Sequence, residues 1–448
     1  MTGRADWRKM SAAELGRGIA ASRIDPVELA QAFLDAIRAH EHGDRIYARL
    51  TPERALGEAT AARGRARSGS LLGPLDGVPV SWKDLFDTAG VPTEAGSRLL
   101  EGRTPTHDAE VVRRGAAAGL VCLGKTHMSE LAFSGLGVNP VTATPPNIHD
   151  PALAPGGSSS GAAVSVAAGL AAIGMGSDTG GSVRIPSAWN DLVGLKTSWG
   201  LIPCDGAVPL SRGLDTVGPL CRTVEDAALS LGVLAGAPVP EIDGLEPSAL
   251  ALIEPDALIL DNADAEIEAG YADAIGRIGR AGVRVARGSV PQLAEALGIA
   301  ARLSAIVNYE GWVEWGPTIE AHPGVMFPMI EARFRTGASI TAEADREARA
   351  ALEPLAEAVH ALIAERGFLV MPTTPILPPP IERLMADDDY YIARNLLALR
   401  NTRLGNLLGC SALTLPTGAP MVGLMLVGRP GDEVALLRAG RVLERALS

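Results

Sequence analysis

Two spacings of apolar residues run along the chain. From Asp25 onward, Val27, Leu29, Phe33 and Ile37 recur at roughly helical intervals. Asp25 fits an N-cap, Pro26 the first helical position, and Glu28 stands three residues after the cap. Residues 51–68 predict a second helix, charged and at the surface. Gly77–Asp84 (GVPVSWKD) is short, β-rich and bounded by Gly and Pro, so it predicts a strand. Asp108–Thr126 predicts a helix, a glycine turn and a strand. Ser159–Ser182 predicts a helix from about Ser160, then a buried strand, then a second glycine turn. This β/α alternation continues to about residue 235 and implies a sheet with helices on both faces. Gly236–Pro247, rich in Gly, Pro and Asp, is the best candidate for a boundary. A mostly helical stretch beginning at Asp264–Val285 follows. Phe368–Pro375 predicts a strand ending in a turn, and Ala412–Gly418 with Met421–Arg429 a pair of strands. No internal repeat is visible.

Composition narrows the picture. Apolar residues make up 47% of the 448 and aromatics only 4%. The core must therefore be built from Ala, Leu, Val and Ile, which suits helices packed closely on a sheet. Forty basic and 52 acidic residues leave a net charge of −12, against direct contact with nucleic acid or an anionic membrane. Four cysteines lie apart, with no Cys-x-x-Cys pair, so neither a zinc ribbon nor a redox motif is expected. The N-terminus has no apolar signal core, and the longest weakly polar run, Ala162–Gly176, is too short to span a bilayer. A soluble, cytoplasmic protein is expected.

Chemistry concentrates at the two glycine turns. Gly157-Ser158-Ser159-Ser160-Gly161 formally matches the Gly-x-Ser-x-Gly nucleophile elbow, but that motif needs a preceding strand, and the residues ahead read as a loop. In the second turn, the backbone amides of Thr179, Gly180, Gly181 and Ser182 could converge on one anion or developing oxyanion. Ser182, at its end, would then be placed to attack a carbonyl carbon. A tight turn with a capping serine is the plain alternative. None of the seven histidines is spaced to serve either turn. A lysine can act as the base if it is neutral, and Lys83 sits in the strand of Gly77–Asp84, where burial would favour that form. Moving a lysine from about 10.4 to about 7–8 corresponds to about 4 kcal/mol. An ordinary lysine at a strand end is the alternative.

Gly156-Gly157-Ser158-Ser159-Ser160-Gly161, followed by Asp178-Thr179-Gly180-Gly181-Ser182-Val183-Arg184-Ile185-Pro186, resembles the signature of the amidase signature family. The flanks agree: Leu75–Ser97, Asp108–Phe133, Gly194–Ala228, Met371–Pro380, Arg400–Gly418 and Val422–Arg438 all look like that family's segments. The likeness is weakest between about 240 and 365. It implies an α/β fold with a large mixed, twisted β-sheet covered by helices on both faces. It also implies one domain over 1–448, with N-terminal helices (about 1–70), a signature core (71–235), a variable helical part (248–365) and a C-terminal β/α part (366–448).

The resemblance also implies roles. Ser182 becomes the nucleophile, Ser158 a serine after a cis peptide bond, and Lys83 the base. Ser158 is then expected within hydrogen-bond reach of both Lys83 and Ser182. Thr179, Gly180, Gly181 and Ser182 form the oxyanion hole. Ser159 and Ser160 are structural, Ser160 helping to start its helix. Asp178 and Arg184 are expected to pair and brace the turn, with substrate contact as a second role for both. Thr126, Met128 and Gly157 are further candidates for substrate contact. His127 stands where the family often has Asn, near the pocket, and could alter substrate choice.

The function implied is hydrolysis of a linear carboxamide through an acyl-enzyme, with no cofactor or metal. The partner is a small amide, and a homodimer is left open. Three alternatives stand beside it: the glutaminase component of a tRNA-dependent amidotransferase, a carboxybiuret- or allophanate-type hydrolase, and a catalytically silent scaffold. Gly200–Pro219 looks like the general amidase version of its segment rather than the amidotransferase one.

Overall fold

The structure is a computed structural model that describes residues 4–302 and 306–448. Among the described residues, 11 strands form one sheet. They are β1 (Tyr47–Leu50), β2 (Pro79–Lys83), β3 (Val121–Thr126), β4 (Ile173–Asp178), β5 (Val193–Lys196), β6 (Thr216–Cys221), β7 (Ala251–Pro255), β8 (Arg284–Gly288), β9 (Phe368–Pro372), β10 (Ser411–Pro416) and β11 (Gly423–Gly428). Their spatial order is β1-β3-β2-β4-β6-β5-β10-β11-β9-β7-β8. The sheet is mixed. β3, β2 and β4 run parallel, the strands from β4 to β9 pair antiparallel, and β9, β7 and β8 are parallel again.

Every residue of β2, β3, β4, β6 and β11 is buried. Successive strand residues point to opposite faces, so both faces of the sheet's centre are covered. The edges differ: β1 is half-buried and β8 largely exposed. Small residues let the layers close. A Cβ on Gly174 of β4 would stand 2.5 Å from the carbonyl oxygen of Ala162, in the helix Ser160–Ala167.

The sequence-derived elements appear where the spacing puts them. The helix Pro26–Ala39 is capped by Asp25, whose carboxylate accepts from the Val27 and Glu28 amides, and it buries Leu29, Phe33 and Ile37. The helix Pro52–Ser68 buries only Ala55, Ala59 and Ala62 and leaves its charges outward. The segment 236–247 does not interrupt the sheet: β7 follows it directly and joins β9 and β8 at the far side. One layout feature positions the site. β2 and β4 are parallel neighbours, so Lys83 and Asp178 end their strands at the same rim. The carboxyl ends of parallel strands are where α/β sheets place ligands.

Candidate active site

Lys83 closes β2 with its side chain fully buried. Its Nζ donates to Ser158 Oγ at 2.7 Å and to Ser177 Oγ at 2.8 Å. Burial drives the amine down to about 7, against the pull of the Asp215 and Asp178 carboxylates. Near neutrality, half of it is therefore free to take a proton.

Ser158 lies in a loop anchored on both sides. The Gly157–Ser158 peptide bond is cis. The Gly157 amide donates to the Gly135 carbonyl, and the Ser158 carbonyl accepts from the Ser129 amide. Ser159 follows as a tie rather than a nucleophile. Its amide donates to the Ser182 carbonyl, and its hydroxyl exchanges hydrogen bonds with the Ser177 backbone. The loop ahead contains no strand, so the elbow geometry is not present. Ser160 does not cap its helix; its hydroxyl reaches the His127 carbonyl.

The turn after β4 is built on an ion pair. Asp178 and Arg184 are both fully buried and meet in a two-pronged contact, Nε to Oδ2 at 3.0 Å and Nη2 to Oδ1 at 2.9 Å. Nη1 bonds the Thr402 carbonyl and Met425 Sδ, and Nη2 also reaches Asn406 Oδ1. All five guanidinium N–H groups are thereby engaged, so Arg184 has no donor left for substrate. Burial would raise the Asp178 carboxyl, but Arg184, Lys196 and Asn406 hold it well below the usual carboxylate range. The pair ties the turn together, and neither residue lines the cavity that holds Ser182.

The nest differs from expectation at one amide. Gly181 donates to Asp178 Oδ1 at 2.8 Å and so is not free for an oxyanion. Among the described residues, the Thr179, Gly180 and Ser182 amides have no acceptor. Gly181 is glycine for two reasons. Its φ is +139°, and a Cβ there would lie 2.2 Å from Thr402 Oγ1. Ser182 Oγ has no hydrogen-bond partner among the described residues, so the expected Ser158–Ser182 bond is not made.

Ser182, Thr179 and Gly180 open into a cavity. Its walls are mostly apolar, with Phe133, Leu210, Leu214, Leu399 and Leu407, plus Arg333 and Arg403. A neighbouring cavity shares Ala132 and Leu210 with it and reaches Ser177 and Asp215. Thr126, Met128 and Gly157 line neither. Thr126 and Met128 are fully buried, and the Thr126 hydroxyl turns back to the Trp82 carbonyl. His127 also misses the cavity. Its amide and carbonyl bond Ile46 and Gly161, and burial lowers its ring to about 4, so the imidazole is neutral.

Four residues escaped the sequence reading. Ser177 shares Lys83 with Ser158. Asp215 binds Thr179 Oγ1 at 2.5 Å and the Leu210 and Ser211 amides, and burial pushes its carboxyl up to about 6 despite them. Arg333 and Arg403 come from distant helices. Ser177 alone had a local signal: it ends a buried strand next to the signature.

A family model described as Amidase matches residues 28–437. The chain belongs to the amidase family. It is 37% identical to a glutamyl-tRNA(Gln) amidotransferase component from Anaeromyxobacter dehalogenans, over 97% of this chain and 95% of that one. It is 35% identical to a 2-amino-5-chloromuconic acid deaminase of Comamonas testosteroni, over 96% and 95%. A crystal structure of an amidase superposes with a TM-score of 0.88 at 31% identity, covering 98% of this chain and all of the other. This amidase is an amide-hydrolysing enzyme. Among the described residues, no helix is long and apolar enough to cross a membrane.

Proposed function

We propose that this amidase cleaves a small linear carboxamide through an acyl-enzyme on Ser182, with Ser158 and Lys83 relaying the proton. The observation that carries the reading is the buried Lys83 amine, brought to about 7 and bonded to the hydroxyl of Ser158. Neutral Lys83 draws the Ser158 proton, and Ser158 draws that of Ser182. Ser182 Oγ adds to the amide carbon. The oxyanion is received by the free amides of Thr179, Gly180 and Ser182, donors the turn already holds where the charge develops. The relay returns the proton to the leaving nitrogen as the C–N bond breaks, and water then cleaves the ester. The Ser159–Ser182 backbone bond holds the two serine loops together. Catalytic hydrogen bonds often close only in the substrate complex, which accounts for the open Ser158–Ser182 leg.

A fluorophosphonate probe tests the nucleophile. It is expected to label Ser182 and to fail on Ser182→Ala, whose fold by circular dichroism stays unchanged. Labelling at Ser159 would overturn the assignment. A second reading, the glutaminase component of an amidotransferase, draws on the 37% identity to an amidotransferase component over nearly both whole chains. Ammonia release from glutamine, measured against small acid amides, separates the two.

A further inference from the structure

Arg333 and Arg403 stand on the wall of the cavity that holds Ser182. Neither is in an ion pair among the described residues, and no Asp or Glu lines that cavity. Glu331, nearest along the chain, pairs with Arg335 instead. The nearby Glu130 carboxylate bonds the Ser97 hydroxyl and the Phe327 amide. Arg333 is held in place. Its Nη1 donates to the Phe133 carbonyl at 2.9 Å, and its guanidinium lies 4.2 Å from the centre of the Phe133 ring. Arg403 makes one long bond, Nη2 to the Leu396 carbonyl at 3.4 Å. Each guanidinium carries five N–H groups, so most of these donors are unclaimed.

Both guanidiniums are half-buried on one mostly apolar wall, and an anion placed between them would offset their mutual repulsion. Burial and the neighbouring Arg403 push Arg333 down to about 10, and burial does the same to Arg403. Both remain cationic near neutrality. The planar fork of a guanidinium matches a carboxylate in two-pronged contact.

We propose that Arg333 and Arg403 form an anion subsite, and that the substrate is a half-amide carrying a free carboxylate and no ammonium group. The ammonium part follows from the wall: glutamine would bring a third cation into a cavity that offers it no acid. The subsite deepens the reading of Ser182 as nucleophile and rests on it for the catalytic outcome, but its binding can be measured without turnover.

The test uses the Ser182→Ala protein and calorimetric titration with succinamate, butanamide and glutamine. Charge-assisted hydrogen bonds of this kind predict that succinamate binds at least about 30-fold more tightly than butanamide. Glutamine should bind more weakly than succinamate, and the succinamate preference should shrink with added salt. Arg333→Met and Arg403→Met should each reduce the preference, and Arg→Lys at either position should restore part of it. Equal affinity for succinamate and butanamide, or a preference that survives both Met substitutions, overturns the subsite. Glutamine binding more tightly than succinamate overturns the half-amide class. Failure of the fluorophosphonate to label Ser182 in the parent protein is a separate result, which removes the nucleophile and leaves the binding comparison standing.

Discussion

Among the described residues, Lys83 has two hydroxyl acceptors and no carboxylate partner at hydrogen-bond distance. Its charge state is set chiefly by burial, with a pKa of about 7. The protonated form dominates below that value and cannot act as a base. kcat/KM is therefore expected to rise about tenfold per pH unit below pH 7 and to level off above it. A pH–rate series on the parent and on Lys83→Ala checks this; the same acidic limb in the variant's residual rate would show that another group is the base. Ser158→Ala should cost about 10³- to 10⁴-fold in kcat, the scale of losing a member of a catalytic unit. Ser159→Ala removes a buried hydroxyl that bonds backbone only, so it should lower stability by about 1–3 kcal/mol while costing far less in kcat. Single-turnover kinetics and urea denaturation of the two variants separate these effects.

At the scale of elements, the glycine turn after β4 is shaped by the Asp178–Arg184 pair. The two Asp178 carboxylate oxygens receive the Gly181 and Val183 amides as well as Arg184. Arg184→Met would leave that carboxylate buried and uncompensated, at a cost of about 3–5 kcal/mol in urea denaturation. Arg184→Lys should recover little, because an ammonium cannot reproduce five N–H bonds in a fixed fork. The pairing of Asp178 with Arg184 is what the family likeness implies, whereas the helix capped by Asp25, the buried strand of Lys83 and the helix–turn–strand of Asp108–Thr126 are legible in the residues themselves. These rest on local spacing, capping and glycine placement. The role of the Gly181 amide is not legible in the sequence, because four successive amides look equivalent until the Asp178 side chain picks one. Likeness puts Thr126, Met128 and His127 at the pocket, whereas their direction depends on the end of β3 and on the His127 contacts with Ile46 and Gly161. Arg333 and Arg403 were invisible, since a helix carries many arginines and only the tertiary packing turns two of them to one cavity.

The whole molecule is tied across its middle. The segment 236–247 has the composition of a linker, yet the sheet joins the halves on either side of it. β5, from the first half, pairs with β10, from the last: Gly194, Leu195 and Lys196 lie opposite Thr414, Leu413 and Ala412. The helix Glu433–Leu447 packs on the helix Val224–Ala235 and on β10. Glu433, nearly buried, accepts from the Ser198 amide, and Glu444 accepts from the Val224 amide. The site itself has the same dependence, because Arg184 needs Thr402 and Asn406, and the cavity wall takes Arg403 and Leu407. A fragment ending at residue 240 would expose the edge of β5 and an apolar face, with the catalytic turn unbraced. We expect that fragment to stay unfolded or to aggregate, and the intact chain to melt in one calorimetric transition. Cleavage within 236–247 should leave two pieces that remain bound and keep most of the activity, since the sheet and not the linker joins them. Two separate transitions, or a folded 1–240 fragment that binds the fluorophosphonate at Ser182 without its partner, would show instead that the halves are independent units.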